Sequence, residues 1–167
     1  FNERLKCLKL KEILTMKILL SPAKMMNLET EAKWKATLPQ FLEQSQEIMN
    51  VMKEMSAVDL EKLMKISKDI ATMNVERNQN WTIKPTSKLA IPAALAFKGE
   101  VYRGLDAQSL NEEALTYFNQ NAFLLSGLYG VLRPSDKVML YRLEMGSRLD
   151  VNGAKNLYGF WKETLTD

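Results

Sequence analysis

Histidine is absent from this 167-residue sequence. Ser-His-Asp and Cys-His nucleophilic systems need an imidazole, and so does the Glu-x-x-His pattern of di-iron carboxylate proteins. The usual zinc sites depend on histidine or on several cysteines. The sequence therefore excludes these catalytic and metal-binding classes, and we expect neither a metal site nor a cofactor.

Cysteine occurs once, as Cys7. A disulfide within the chain, a CxxC redox pair and a cysteine-ligated iron–sulfur cluster each need at least two thiols. We therefore do not expect the polypeptide to carry out redox chemistry by itself.

Glycine, proline and long apolar runs are also scarce. The chain has seven glycines and five prolines, with 46% hydrophobic and 26% charged residues, which is typical of an ordinary globular domain. No run approaches the ~18 apolar residues that a membrane-spanning helix needs. The length suits one domain with a substantial core. We expect a single-domain, cytoplasmic protein.

The formal net charge of +3 comes mostly from residues 1–15, which hold four basic and two acidic residues. Without them, 19 basic and 18 acidic residues remain. Bulk charge therefore does not indicate a nucleic-acid partner, and such a role would need a local cluster of cations. Because residues 1–15 precede Met16, we interpret them as an N-terminal extension and the domain as 16–167.

The apolar spacing predicts a mixed α+β domain with a helical block between strands and a strand-rich second half. Ile18–Leu20 reads as a short buried strand, and a loop with Ser21 and Lys24 follows it. Helical spacing begins at Leu38 and continues to about Gln79. Within it, Ser56 and Asp59 form a capping box.

Several features predict the order of helices and strands in the second half of the chain. The segment LAIPAALAFKGEVYRGL is apolar without a clear period. Ser109 and Glu112 give a second capping signature at the start of a helix. Phe123–Ser126 reads as a strand, and alternating apolar residues over Met139–Met145 predict another.

Gly127 and Gly130 follow the predicted strand at a spacing of three residues. They indicate a tight turn where the main chain meets another surface, which is either a ligand or a neighbouring helix. The spacing is neither G-x-G-x-x-G nor a P-loop, so no nucleotide fingerprint is present.

Arg142 and Glu144 share one face of the predicted strand. They form either the wall of a polar cleft or a solvated ion pair. Cations from several loops would build a phosphate-binding patch if they converge, since guanidinium groups bind phosphate in forked, charge-assisted pairs. The candidates are Lys24, Lys98, Arg103, Arg133, Arg142 and Arg148.

Five motifs occur in order: KILLSPAK, AFKGEVYRGL, LSGLYGVLRPSD, YRLEMGSRL and LYGFW. From Met16 to the C terminus the chain resembles the peroxide stress protein YaaA family. The resemblance implies a cytoplasmic bacterial protein with an α+β fold around a positively charged cleft, which binds DNA and helps limit iron-dependent oxidative damage. It also implies a helix-hairpin-helix element, which we do not locate because LSGLYGVL lacks a Gly-hydrophobic-Gly turn.

Three features depart from the family pattern. Residues 1–15 have no counterpart, and Glu100 stands where aspartate is common. The chain stops at Asp167, where family members continue, so we expect a domain that is incomplete at its C terminus. An incomplete domain would expose a sheet edge.

The first functional hypothesis is a DNA-binding stress protein that uses the six cations. Tyr102, Tyr129 or Tyr141 would stack on exposed bases. The expected cleft is lined further by Ser21, Gly99, Glu100, Gly127, Gly130 and Glu144.

The second hypothesis is an enzyme acting on a nucleotide or nucleic acid in the same cleft, with Glu144 or Glu100 as general base. It requires Glu144 and Arg142 to line a concave pocket with Ser21 and Lys24. A third reading gives these residues structural roles only.

Overall fold

The computed structural model describes residues 16–30 and 34–166, so the proposed extension 1–15 lies outside the described residues. In this part of the chain, helices and strands alternate irregularly, which confirms the mixed α+β class. The helices are α1 (Leu42–Lys53), α2 (Ala57–Met64), α3 (Lys68–Asn80), α4 (Ala93–Ala96), α5 (Glu100–Leu105), α6 (Glu112–Asn121) and α7 (Leu157–Thr166). The strands are β1 (Ile18–Leu20), β2 (Met25–Met26), β3 (Ile91–Pro92), β4 (Phe97–Lys98), β5 (Ala122–Ser126), β6 (Gly130–Leu132) and β7 (Lys137–Val138).

The helical block α1–α3 agrees with the sequence prediction. Apolar residues of α1 at helical spacing, Ile48, Met49 and Met52, are fully buried. The capping box is confirmed, because the Ser56 side chain accepts from the Asp59 backbone N–H and the Asp59 carboxylate accepts from the Ser56 N–H. These hydrogen bonds start α2, which packs mainly against α3.

The largest sheet of the described residues has three strands in the order β1–β5–β6. β1 runs parallel to β5 with Ile18 opposite Ala122, and β5 runs antiparallel to β6 with Leu124 opposite Leu132. We expected β1 to be buried, but Leu19 is 63% exposed. Within the described residues β1 pairs only with β5, so it forms one edge of this sheet.

Two short antiparallel ribbons flank the sheet. One joins β2 to β4, with Met26 opposite Phe97, and the other joins β3 to β7, with Ile91 opposite Val138. The segment whose type was unclear from sequence, residues 89–105, thus contains β3, the helical turn α4, β4 and the whole of α5. Its residues from Ala90 to Phe97 are buried, which explains the absence of an amphipathic period.

Two further local predictions are wrong. The segment Met139–Met145 is not a strand; pairing ends at Val138, and the following residues run without ladder partners. Its alternation arises because Tyr141 and Leu143 face the core, while Arg142 and Glu144 are more exposed.

The second error is the cap of α6. Asn111 caps this helix by accepting a hydrogen bond from the Ala114 N–H at 2.8 Å. Ser109 lies in a preceding 3₁₀ turn and donates to the Asp106 carbonyl oxygen at 2.9 Å. An asparagine nearer to the helix therefore replaces the predicted serine, consistent with the strong preference for asparagine at this position.

Candidate functional site

A cavity of about 340 Å³ lies between the loop after β1 and the extended segment 141–146, and we call it the β1-loop cavity. Its position at the end of β1 follows from Pro22, which cannot donate a ladder hydrogen bond, so the chain leaves the sheet there. The residues that line it are Ser21, Pro22, Ala23, Lys24, Met26, Leu125, Ser126, Tyr141, Arg142, Leu143, Glu144, Met145, Gly146 and Tyr158.

Lys24 and Glu144 connect the two sides of this cavity. The Lys24 Nζ lies 3.1 Å from Glu144 Oε1, and both side chains are about half exposed. Ser21 and Arg142 line the same concave surface. Such a half-exposed ion pair contributes little to stability because solvent screens it. The arrangement meets the geometric requirement that we set for an enzyme, a shared concave pocket.

Arg142 has an unusual environment. Its Nε is buried and finds no hydrogen-bond partner among residues 16–30 and 34–166. A second arginine, Arg77 on α3, lies close enough for the positive charge of Arg142 to affect it. Burial, and then the positive charge of Arg142, lower the pKa of the Arg77 guanidinium. Neither Arg77 nor Arg142 has a carboxylate at ion-pair distance in the described part of the chain.

Two buried hydroxyl groups in the wall of the cavity form hydrogen bonds with neighbouring residues. Ser126 Oγ and Tyr141 OH are 2.7 Å apart and buried, and Ser126 Oγ also accepts from the Tyr129 N–H at 2.9 Å. Burial raises the pKa of Tyr141 above the ordinary value of a tyrosine. These groups satisfy one another.

A second cavity of about 430 Å³, the β4 cavity, contains five other predicted residues: Lys98, Gly99, Glu100, Tyr102 and Arg103. Lys98 donates to Thr30 Oγ1 at 3.1 Å, while Arg103 and Glu100 form an exposed ion pair.

Tyr102 connects the walls of the two cavities, because its hydroxyl donates to the Ser21 carbonyl oxygen at 2.7 Å. Burial raises the pKa of Tyr102. Tyr102 is one of three tyrosines that we expected as stacking residues, and it is mostly buried with its hydroxyl in a hydrogen bond; Tyr129 and Tyr141 are buried as well.

Arg133 and Arg148 line neither cavity. Arg133 donates from Nη2 to Asp136 Oδ1 at 3.0 Å and to the Leu38 carbonyl oxygen at 3.1 Å, and Asp136 is 1% exposed. Arg148 is exposed to solvent. The fold therefore brings four of the six predicted cations to two cavities with a shared wall.

Gly127, Tyr129 and Gly130, which we expected at the cleft, line neither cavity and are buried. Gly130 has φ +70°, and a Cβ there would come within 2.8 Å of the Trp161 ring. The sequence left open whether these glycines meet a ligand or a neighbouring helix. Gly130 meets a helix, since it contacts a side chain of α7.

Sequence reasoning missed Tyr158, which lines the β1-loop cavity, and Arg77, whose charge interacts with that of Arg142. Arg77 follows buried Asn74 by three residues, a helical spacing that places the two on one side of α3. Tyr158 belongs to the LYGFW motif, in which buried Leu157 and Trp161 are at core spacing and Tyr158 is not. A tyrosine outside the buried stripe of this helix is the sequence feature that could have identified Tyr158 as a site residue.

Two features that the described residues lack are relevant to the expected site. No helix in 16–30 and 34–166 combines the length and hydropathy needed to span a membrane. Over the same residues, no group of three or more cysteine, aspartate or glutamate side chains lies close enough to hold a metal ion.

The fold and site define a mixed α+β protein with a cation-bearing cavity at the end of an edge strand. The chain is similar to UPF0246 proteins, being 45% identical to one from Flavobacterium psychrophilum and 44% identical to one from Aliivibrio fischeri. Each alignment covers 91% of this chain but only 61% and 59% of the relative. The chain thus spans about three fifths of the length of these curated relatives. A family model described as peroxide stress protein YaaA matches residues 16–167, and the chain belongs to that family.

Proposed function

We propose that this protein is a cytoplasmic DNA-binding protein of the peroxide stress response, which helps limit iron-dependent oxidative damage. The observation that carries the proposal is the placement of Lys24 and Arg142 in one cavity and of Lys98 and Arg103 in another that shares a wall with it. Cations grouped around concave surfaces attract the phosphates of nucleic acid.

Arg142 supports the proposal most directly. Lys24 and Arg103 have carboxylate partners, whereas Arg142 has none in the described part of the chain. A phosphate oxygen would complete the hydrogen bonding of its buried Nε. Membership in a peroxide stress family supplies the biological setting. Because the chain has no histidine and one cysteine, we propose that protection comes from contact with DNA, without a redox centre on this polypeptide.

Titration of labelled duplex DNA at several salt concentrations tests this function. If four cations each neutralise one phosphate, the logarithm of the binding constant should fall against the logarithm of salt with a slope of about −4. Fluorescence anisotropy measures the slope. Binding that does not change with salt would contradict the phosphate contacts.

An enzyme acting on a nucleotide or nucleic acid is the second candidate, because Ser21, Lys24, Arg142 and Glu144 line one cavity. Glu144 would be the general base, and its carboxylate contacts Lys24 at 3.1 Å. Incubation with nucleotides and short DNA, followed by mass spectrometry, tests this candidate. Turnover should disappear in Glu144→Gln; a wild-type chain that forms no product removes the candidate.

A further inference from the structure

Tyr158 provides an exposed aromatic ring at the β1-loop cavity. It lies in the first turn of α7 and is 64% exposed, while Leu157 and Trp161 of the same helix are buried. Its exposure is therefore not shared by the whole helix. An exposed ring at the edge of a cavity offers a face on which a nucleobase can stack, and such stacking tolerates any base.

The walls of the cavity suit a base and a phosphate in different places. Leu125, Leu143 and Met145 supply apolar surface, whereas Lys24 and Arg142 supply positive charge. A volume of about 340 Å³ is near the lower end of the range for small-ligand pockets, roughly 300–1,000 Å³. A space of this size suits one small ligand such as a nucleotide, whereas a paired duplex would contact the cations only at the opening of the cavity.

The positive charges of Arg142 and its neighbour also favour the binding of an anion. Arg77 and Arg142 repel each other, and neither has an ion-pair partner within residues 16–30 and 34–166. The buried Nε of Arg142 lacks an acceptor in the same part of the chain. A phosphate would supply both the acceptor and the negative charge.

We propose that the β1-loop cavity binds one unpaired nucleotide, with its base stacked on Tyr158 and its phosphate held by Arg142 and Lys24. The nucleotide is either free or an unpaired position in DNA. For the second source the inference rests on the proposed DNA-binding function. An unpaired base is the form that can enter a cavity, since leaving a duplex stack costs little where no partner exists.

Two duplexes test the DNA source: one fully paired, and one identical except for a single unpaired nucleotide. The wild-type chain should bind the second about 5-fold more tightly or better, by anisotropy. Tyr158→Ala should lose this preference and keep the affinity for the paired duplex. Tyr117→Ala is the matched control, because Tyr117 is 51% exposed on α6 and lines neither cavity. Tyr158→Phe retains the ring and should keep the preference.

Three results of this experiment would overturn the DNA-bound form of the inference. Equal wild-type affinity for the two duplexes would do so while leaving DNA binding intact. Loss of affinity for both duplexes in Tyr158→Ala would show a general contribution to binding. Equal loss of preference in Tyr158→Ala and Tyr158→Phe would exclude stacking.

Titration with deoxyadenosine monophosphate tests whether the cavity binds a free nucleotide. Its addition should raise the melting temperature of wild type and Tyr117→Ala, and not that of Tyr158→Ala or Arg142→Gln. Deoxyadenosine without the phosphate should act more weakly. If no DNA binds but this pattern holds, the proposed function fails and the cavity inference stands. A preference in DNA without this response identifies DNA as the source, and failure of both experiments overturns the inference.

Discussion

The main chain at Leu143 lies directly against Gly127. A Cβ on Gly127 would come within 2.6 Å of the Leu143 carbonyl oxygen, closer than real side chains approach. Trp161 Nε1 donates to the Gly127 carbonyl oxygen at 2.9 Å, so this residue is fixed on two sides. The glycine thus allows the turn after β5 to support the segment that carries Arg142 and Glu144.

Gly127→Ala should destabilise the chain by about 1–3 kcal/mol, because the added methyl group must displace backbone. Urea unfolding followed by tryptophan fluorescence measures the change. Gly146→Ala is the control, since a Cβ there meets nothing within 4 Å. Equal stabilities of the two variants would contradict the close contact.

Tyr129 accepts hydrogen bonds from two buried donors, Trp81 Nε1 at 2.9 Å and the Met139 N–H at 3.3 Å. Tyr129→Phe leaves both without a partner and should reduce the free energy of unfolding by about 1–3 kcal/mol. Tyr117→Phe removes an exposed hydroxyl and is the control. Thermal unfolding by circular dichroism compares them, and a Tyr129→Phe variant as stable as the control would exclude the network.

Stability should fall in alkaline solution. Burial raises the pKa of Tyr129 from the ordinary value of 10.0 to about 12 in the folded chain. Between these values the unfolded chain has lost this proton and the folded chain retains it, so the free energy of unfolding decreases as pH rises. Tyr129 alone contributes up to about 1.4 kcal/mol per pH unit.

Urea unfolding at several pH values between about 9 and 12 measures this slope. In Tyr129→Phe the slope should be shallower, because the other titrating groups remain. An identical slope in the variant would contradict the assignment.

Asp136 is a buried carboxylate that accepts from Thr37 Oγ1 at 2.6 Å and from the Arg133 N–H at 2.8 Å, besides the guanidinium. Asp136→Asn should destabilise the chain by about 2–4 kcal/mol, because charge-assisted bonds to a buried group are lost. Glu100→Gln is matched, since Glu100 also pairs with an arginine three residues away, but at the surface. It should change stability little. Chemical denaturation compares the stabilities of the two variants. If both substitutions changed the free energy of unfolding by similar small amounts, the result would argue against a structural role for Arg133.

Arg142→Gln should weaken binding to duplex DNA and reduce the magnitude of the salt slope by about one, which corresponds to one phosphate contact. Lys62→Gln removes the same charge from the exposed surface of α2, which lines neither cavity. Anisotropy at matched salt concentrations compares the variants. A loss in Lys62→Gln as large as that in Arg142→Gln would indicate that net charge alone governs binding.

Two features of the structure that the sequence did not show have one cause. The period-two pattern at 139–145 correctly separates buried Tyr141 from Arg142, but alternation reports burial and does not show whether a neighbouring strand supplies hydrogen bonds. In the same way, the arginine content of the second half could not show that Arg133 is held by Asp136 while Arg142 lines the β1-loop cavity.

The sequence by itself determined the mixed class, the helices α1–α3 with the Ser56 cap, the strand β5 and the family, because these depend on local spacing, caps and ordered motifs. Only the tertiary structure decided which cations share a cavity, that Lys24 meets Glu144, and that Gly130 packs on Trp161. Those contacts join residues far apart in the chain, and their partners are set by how the sheet, ribbons and helices pack together. A one-dimensional pattern does not contain that information.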